Sequence, residues 1–168
     1  MAAHVLVVAT VTATSDDLMA ALEERARRGS VPVDFMLVMP SSGPDRDAMQ
    51  PRLAEALERW RNAGLKAEGA IGDSDPVNAV DEVCAPGRFD EVIVSTLPGQ
   101  TSRWLRSDVP YRIGALTDLP VTHVVALSMQ KPTLRGEPLP RRERVPLGML
   151  NVMSYRGAHP HEETRRTG

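Results

Sequence analysis

Thr96, Thr101 and Ser102, followed at once by Arg103 and Arg106, set three hydroxyls and two guanidiniums beyond the Val-rich run EVIVS at 91–95. Hydroxyls donate hydrogen bonds and guanidiniums add fixed positive charge, so this set can hold a small anion or a nucleotide phosphate. A competing reading pairs Arg103 and Arg106 with Asp108 and Asp118 on a solvated surface. Trp104, between the arginines, reads as a packing anchor or subunit contact rather than a platform for a stacked base.

Catalysis would need a nucleophile beside a base, and the chain offers none. Ser95 ends the same run but stands in no G-x-S-x-G elbow. His4 and His123 fall in separate apolar runs and read as core or edge residues, not as a catalytic pair. His159 and His161 make a weak metal site, while Asp73 and Asp75 flank Ser74 in a turn where helix capping accounts for them. With no P-loop either, the sequence does not describe an enzyme. Cys84 is the single cysteine, which excludes an internal disulfide; its place in an apolar stripe makes it core filler.

The hydropathy pattern supplies a scaffold for these groups. HVLVVAT at 4–10 is a continuous apolar run, as expected of a central parallel strand covered on both faces. Thr14-Ser15-Asp16-Asp17 is a helix-start signal, Leu18, Leu22 and Ala26 mark the buried face of the helix, and Gly29 fits its end. VDFMLVMP at 33–40 is the second strand. Leu53, Ala56, Leu57 and Trp60 form the stripe of a second helix ended by Gly64. KAEGAIG at 66–72 alternates like a more exposed strand, and Asp75-Pro76 then starts a short helix through Val77, Val80 and Cys84. Runs at 91–95 and 121–126 flank a final helix. Five strands alternating with four helices predict an α/β fold: a doubly wound, Rossmann-like five-stranded parallel sheet over residues 1–129. Loops at the carboxyl ends of such strands are where ligands bind.

Residues 130–168 break the pattern. They form a Pro-rich basic C-terminal arm with prolines at 132, 138, 140, 146 and 160. The net charge of −2 divides unevenly, with 12 Lys+Arg against 18 Asp+Glu in residues 1–130 and 8 against 4 beyond. An acidic body displaces no counterions from phosphates, so nucleic acid is not an expected partner. VPLGMLNVMSY at 145–155 is apolar enough to dock on the body, a second subunit or a larger partner. No run approaches a membrane span, and the first strand begins too early for a signal peptide, so the expected location is cytoplasmic.

The order of elements, together with VLVVA in the first strand, LERWRNAGLKAEGAIGDSDPVNAV in the middle and VIVST…LPVTHVV at the end, resembles the universal stress protein family over residues 3–127. The resemblance implies a homodimer joined through the last strand. It also implies, for one branch, ATP held by a pattern of glycines after the fourth strand. Laid on this chain, the pattern begins at Ser95, continues at Pro98 and ends on Ser107-Asp108, so none of its glycines is kept; Gly99 stands one place from the middle one. ATP binders of the family carry an acidic residue at the end of the first strand, where this chain has Thr10, a hydroxyl. Val38 keeps the apolar surface on which an adenine lies.

These substitutions have physical weight. Backbone amides approach phosphate closely where no Cβ intervenes, and Pro98 has no N–H to give. Asp108 is expected to cap the last helix, placing a carboxylate where a phosphate would lie. Like charges about 4 Å apart repel by roughly 1 kcal/mol in water-like surroundings and about 4 kcal/mol at a partly screened site. The sequence therefore reads as a non-catalytic, universal-stress-like regulatory or binding module with a degenerate nucleotide or anion pocket that disfavours ATP in the usual pose. No cofactor is required. The pocket residues are Thr10, Val38, Ser95, Thr96, Thr101, Ser102, Arg103 and Arg106. The alternatives are a protein-binding subunit anchored through its arm and an atypical ATP-binding protein.

Overall fold

The computed structural model describes residues 1–41, 46–99 and 102–128, all within one compact unit, Met1–Thr133. The basic arm, its 145–155 segment and Thr101 lie outside the described residues. Five strands form one parallel sheet in the order β3-β2-β1-β4-β5: β1 Ala3–Val8, β2 Val33–Pro40, β3 Lys66–Gly72, β4 Glu91–Thr96 and β5 Val121–Val125. Between them run α1 Asp16–Arg28, α2 Arg46–Asn62, α3 Pro76–Val83, a one-turn α4 Arg103–Arg106 and α5 Val109–Thr117.

The apolar runs become strands because both faces of the sheet are covered. Val5 and Val7 of β1 join one core with Leu37, Leu18, Leu22, Leu53 and Trp60. Leu6 and Val8, pointing the other way, join a second core with Val92, Val94, Val80 and Ile113. Each Val or Leu buried in this way contributes about 1.5–3 kcal/mol, which is why the central strand tolerates no polar residue between Val5 and Ala9.

Helix starts follow their caps. The Ser15 side chain accepts from Leu18 N, and Asp75 accepts from Val77 N at 2.8 Å and Asn78 N at 3.4 Å, with Pro76 opening the helix. Gly64 closes α2 at φ 83, a left-handed turn that a side chain would strain. Cys84 packs against the second core, where burial pushes its thiol pKa up.

Three local expectations are corrected. The first strand stops at Val8, because residues Val11–Thr14 form a short 3-10 helix instead of extending it. The last helix is divided, with Ser107 and Asp108 turning between α4 and α5. Asp108 holds the N-cap position of α5 but makes no side-chain cap bond, since its backbone is left-handed at φ 48. Its carboxylate is therefore not folded over the first amides of the helix.

Candidate functional site

Strand order reverses its direction of growth between β1 and β4: the chain builds outward to β3 on one side, then returns to place β4 on the other. The loops leaving these two neighbours diverge to opposite faces and open a crevice at their carboxyl ends. A cavity of about 620 Å³ lies there, lined from the turn after β1 by Thr10 and Thr12, from β4 by Ser95 and Thr96, and from the last crossover by Ser102, Arg103, Trp104 and Arg112. Pro40, Ser41, Ser74 and Asp75 close the third side.

The β1 rim is held firmly. Trp60 Nε1 donates to the Ala13 carbonyl at 3.0 Å, and the Arg59 guanidinium donates to the Thr14 carbonyl and to Asp16. Thr12 Oγ1 donates to the Ser95 carbonyl at 3.2 Å, tying the 3-10 helix to the end of β4. On the other side, Gly99 at φ 51 turns the chain, Ser102 N donates to its carbonyl at 3.1 Å, and Ser102 Oγ accepts from Leu105 N at 3.3 Å. A residue with a Cβ at position 99 would strain this turn.

Ser95 carries the most informative atom of the site. The residue is 1% exposed and lines the cavity, yet its Oγ is the one buried side-chain oxygen or nitrogen among the described residues that has no hydrogen-bond partner. A buried hydroxyl left in this state costs about 1–3 kcal/mol. Its neighbour Thr96, also buried, has a partner: Oγ1 lies 2.7 Å from His123 Nε2 on β5.

Charge in the cavity wall comes from two guanidiniums, Arg103 and Arg112, and one carboxylate, Asp75. Asp75 already accepts the first amides of α3, and its second oxygen lies 3.9 Å from Arg112 Nη2. Arg103 is exposed toward solvent and has no ion pair among the described residues. The expected pairing of Arg103 and Arg106 with Asp108 and Asp118 does not form among the described residues.

Two solved structures share this architecture. One is a universal stress protein in complex with cAMP, at 18% identity and a TM-score of 0.52, over 74% of this chain and 97% of that one. The chain has the universal stress protein fold. The other is a universal stress protein family protein from Arabidopsis thaliana with AMP bound, at 16% identity and a TM-score of 0.53, over 78% of this chain and 97% of that one. No protein-family model matches the sequence, and no curated protein matches it.

Within this universal-stress-type fold, five of the eight expected pocket residues meet at one cavity: Thr10, Ser95, Thr96, Ser102 and Arg103. Val38 does not. It is fully buried in the second core, where strand position and not a ligand accounts for it. Arg106 is exposed and outside the lining. Pro98 is exposed, and Leu97 takes its place on the wall. Trp104 serves twice, packing against the second core while lining the cavity. Sequence reasoning missed Arg112, Ser41, Ser74 and the lining role of Asp75. Arg112 sits one turn into α5, and only the division of the last helix brings it to the cavity. Among the described residues no helix is long and apolar enough to cross a membrane.

Proposed function

We propose that this protein is a non-catalytic regulatory or binding module whose cavity between β1 and β4 takes a nucleotide bearing a single phosphate group. The observation that carries the reading is the cavity at the carboxyl ends of β1 and β4, whose wall holds Arg103 and Arg112 beside Ser95, a residue with a buried, unpartnered Oγ. Two guanidiniums can serve one phosphoryl group, and Pro98, which has no N–H, together with the missing glycines leaves no amide cradle for two more. The neighbours of like fold were solved with cAMP and with AMP, which supports a monophosphate as the ligand class. The Ser95 hydroxyl has no base beside it, which supports binding over catalysis. Assembly as a homodimer through β5, an edge strand, belongs to the same reading.

Ser95→Ala tests the proposal. The variant is expected to bind AMP about five- to tenfold more weakly while the free protein is as stable as before or gains up to about 1 kcal/mol, since an unsatisfied hydroxyl has been removed. Titration calorimetry and thermal melts read the two effects. Unchanged affinity together with lost stability contradicts the reading and makes the hydroxyl a structural group.

A further inference from the structure

We propose that His123 sets the pH dependence of anion binding in this cavity, acting through the Thr96 hydroxyl. The inference rests on the nucleotide reading above and adds a proton to it. Thr96 belongs to two places at once. It lines the cavity between β1 and β4, and its Oγ1 lies 2.7 Å from Nε2 of His123, a residue that lines a separate groove at the β5 edge. A threonine hydroxyl has one proton to donate. Facing a neutral ring whose proton is on Nδ1, Thr96 donates to Nε2 and offers the cavity lone pairs alone. Facing a protonated ring, Thr96 accepts from Nε2–H, and its own proton is free to point at a bound anion. The imidazolium charge acts in the same direction.

Few other groups face His123. From α5 the groove receives the Tyr111 phenol and the Asp118 carboxylate, and from β4 the ring meets Thr96. On the opposite face of the sheet, α1 packs against Val124, and its Asp17 accepts from Ser128. Loss of solvent around the ring pushes the His123 pKa below the ordinary 6.5, so the free protein holds it neutral near neutral pH. Anion binding favours the protonated ring. The complex therefore takes up a proton, and affinity rises as pH falls through the titration of His123 and is lost as pH rises above it.

Titration calorimetry of the full chain with cyclic AMP, whose phosphodiester keeps one charge throughout, tests the link between about pH 5.5 and about pH 8. Affinity is expected to be about tenfold higher at the acid end, the worth of one hydrogen bond to an anion. Proton uptake should appear as a binding enthalpy that varies with the ionisation enthalpy of the buffer. His123→Phe frees Thr96 to donate at every pH and is expected to fix the affinity near its acid-end value. Thr96→Val removes the hydroxyl and is expected to fix it near the alkaline value. If either variant fails to fold, the other carries the comparison. A wild-type affinity that is flat with pH, as a neutral ring protonated on Nε2 would give, overturns the link and leaves the nucleotide reading standing. So does a pH dependence that survives in both variants. Absence of cyclic AMP binding at every pH overturns the nucleotide reading and this inference with it.

Discussion

Arg103→Ala combined with Arg112→Ala is expected to weaken AMP binding by about a hundredfold or more, since each guanidinium gives a charge-assisted hydrogen bond worth about 1.5–3 kcal/mol. The free protein should melt within about 3 °C of the wild type, because both side chains are exposed and surface substitutions cost little. The ion pair that Arg112 makes with Asp75 is long, at 3.9 Å, and half exposed, so its loss adds almost nothing. Calorimetric titration beside a thermal melt separates the two effects. Intact AMP affinity in the double variant would place the phosphate elsewhere.

Trp60→Ala should produce the largest loss of stability, about 3–5 kcal/mol. The side chain is the largest of those fully buried, and it fills the space between α2 and the first core. Its loss also leaves the Ala13 carbonyl without the 3.0 Å hydrogen bond from the indole. Because that bond pins the 3-10 helix carrying Thr12, the variant is expected to lose nucleotide affinity as well, although Trp60 is not in the cavity wall. Trp60→Phe, which keeps most of the packing, isolates the hydrogen bond and should cost about 1–3 kcal/mol. Denaturant titration measures both. Equal stability of the Phe variant and the wild type would show that the indole N–H does not anchor the turn.

The fold was legible because its signals are local and strong. Apolar runs at 33–40 and 66–72 coincide with β2 and β3, and Ser15, Asp75 and Gly64 sit at the helix ends where capping chemistry places them. The site was legible only where it lies on a strand end. Ser95 and Thr96 could be placed because β4 ends there, and Thr10 because β1 ends just before it. Arg112 could not, since its arrival depends on a turn at Ser107–Asp108 that hydropathy does not mark. Asp108 misled for the same reason: an acid before a proline reads as a cap, but a left-handed backbone turns its carboxylate away from that task. Val38 misled in another way, because an apolar residue at the end of a buried strand looks the same whether it serves a core or an adenine.

Side-by-side titration of the protein with AMP and with Mg-ATP puts the central claim to its most direct test. A wall with two guanidiniums but, with Pro98 in place of a glycine, no amide cradle for further phosphates should favour AMP by about tenfold or more. ATP binding as tightly as AMP, or more tightly, contradicts the account.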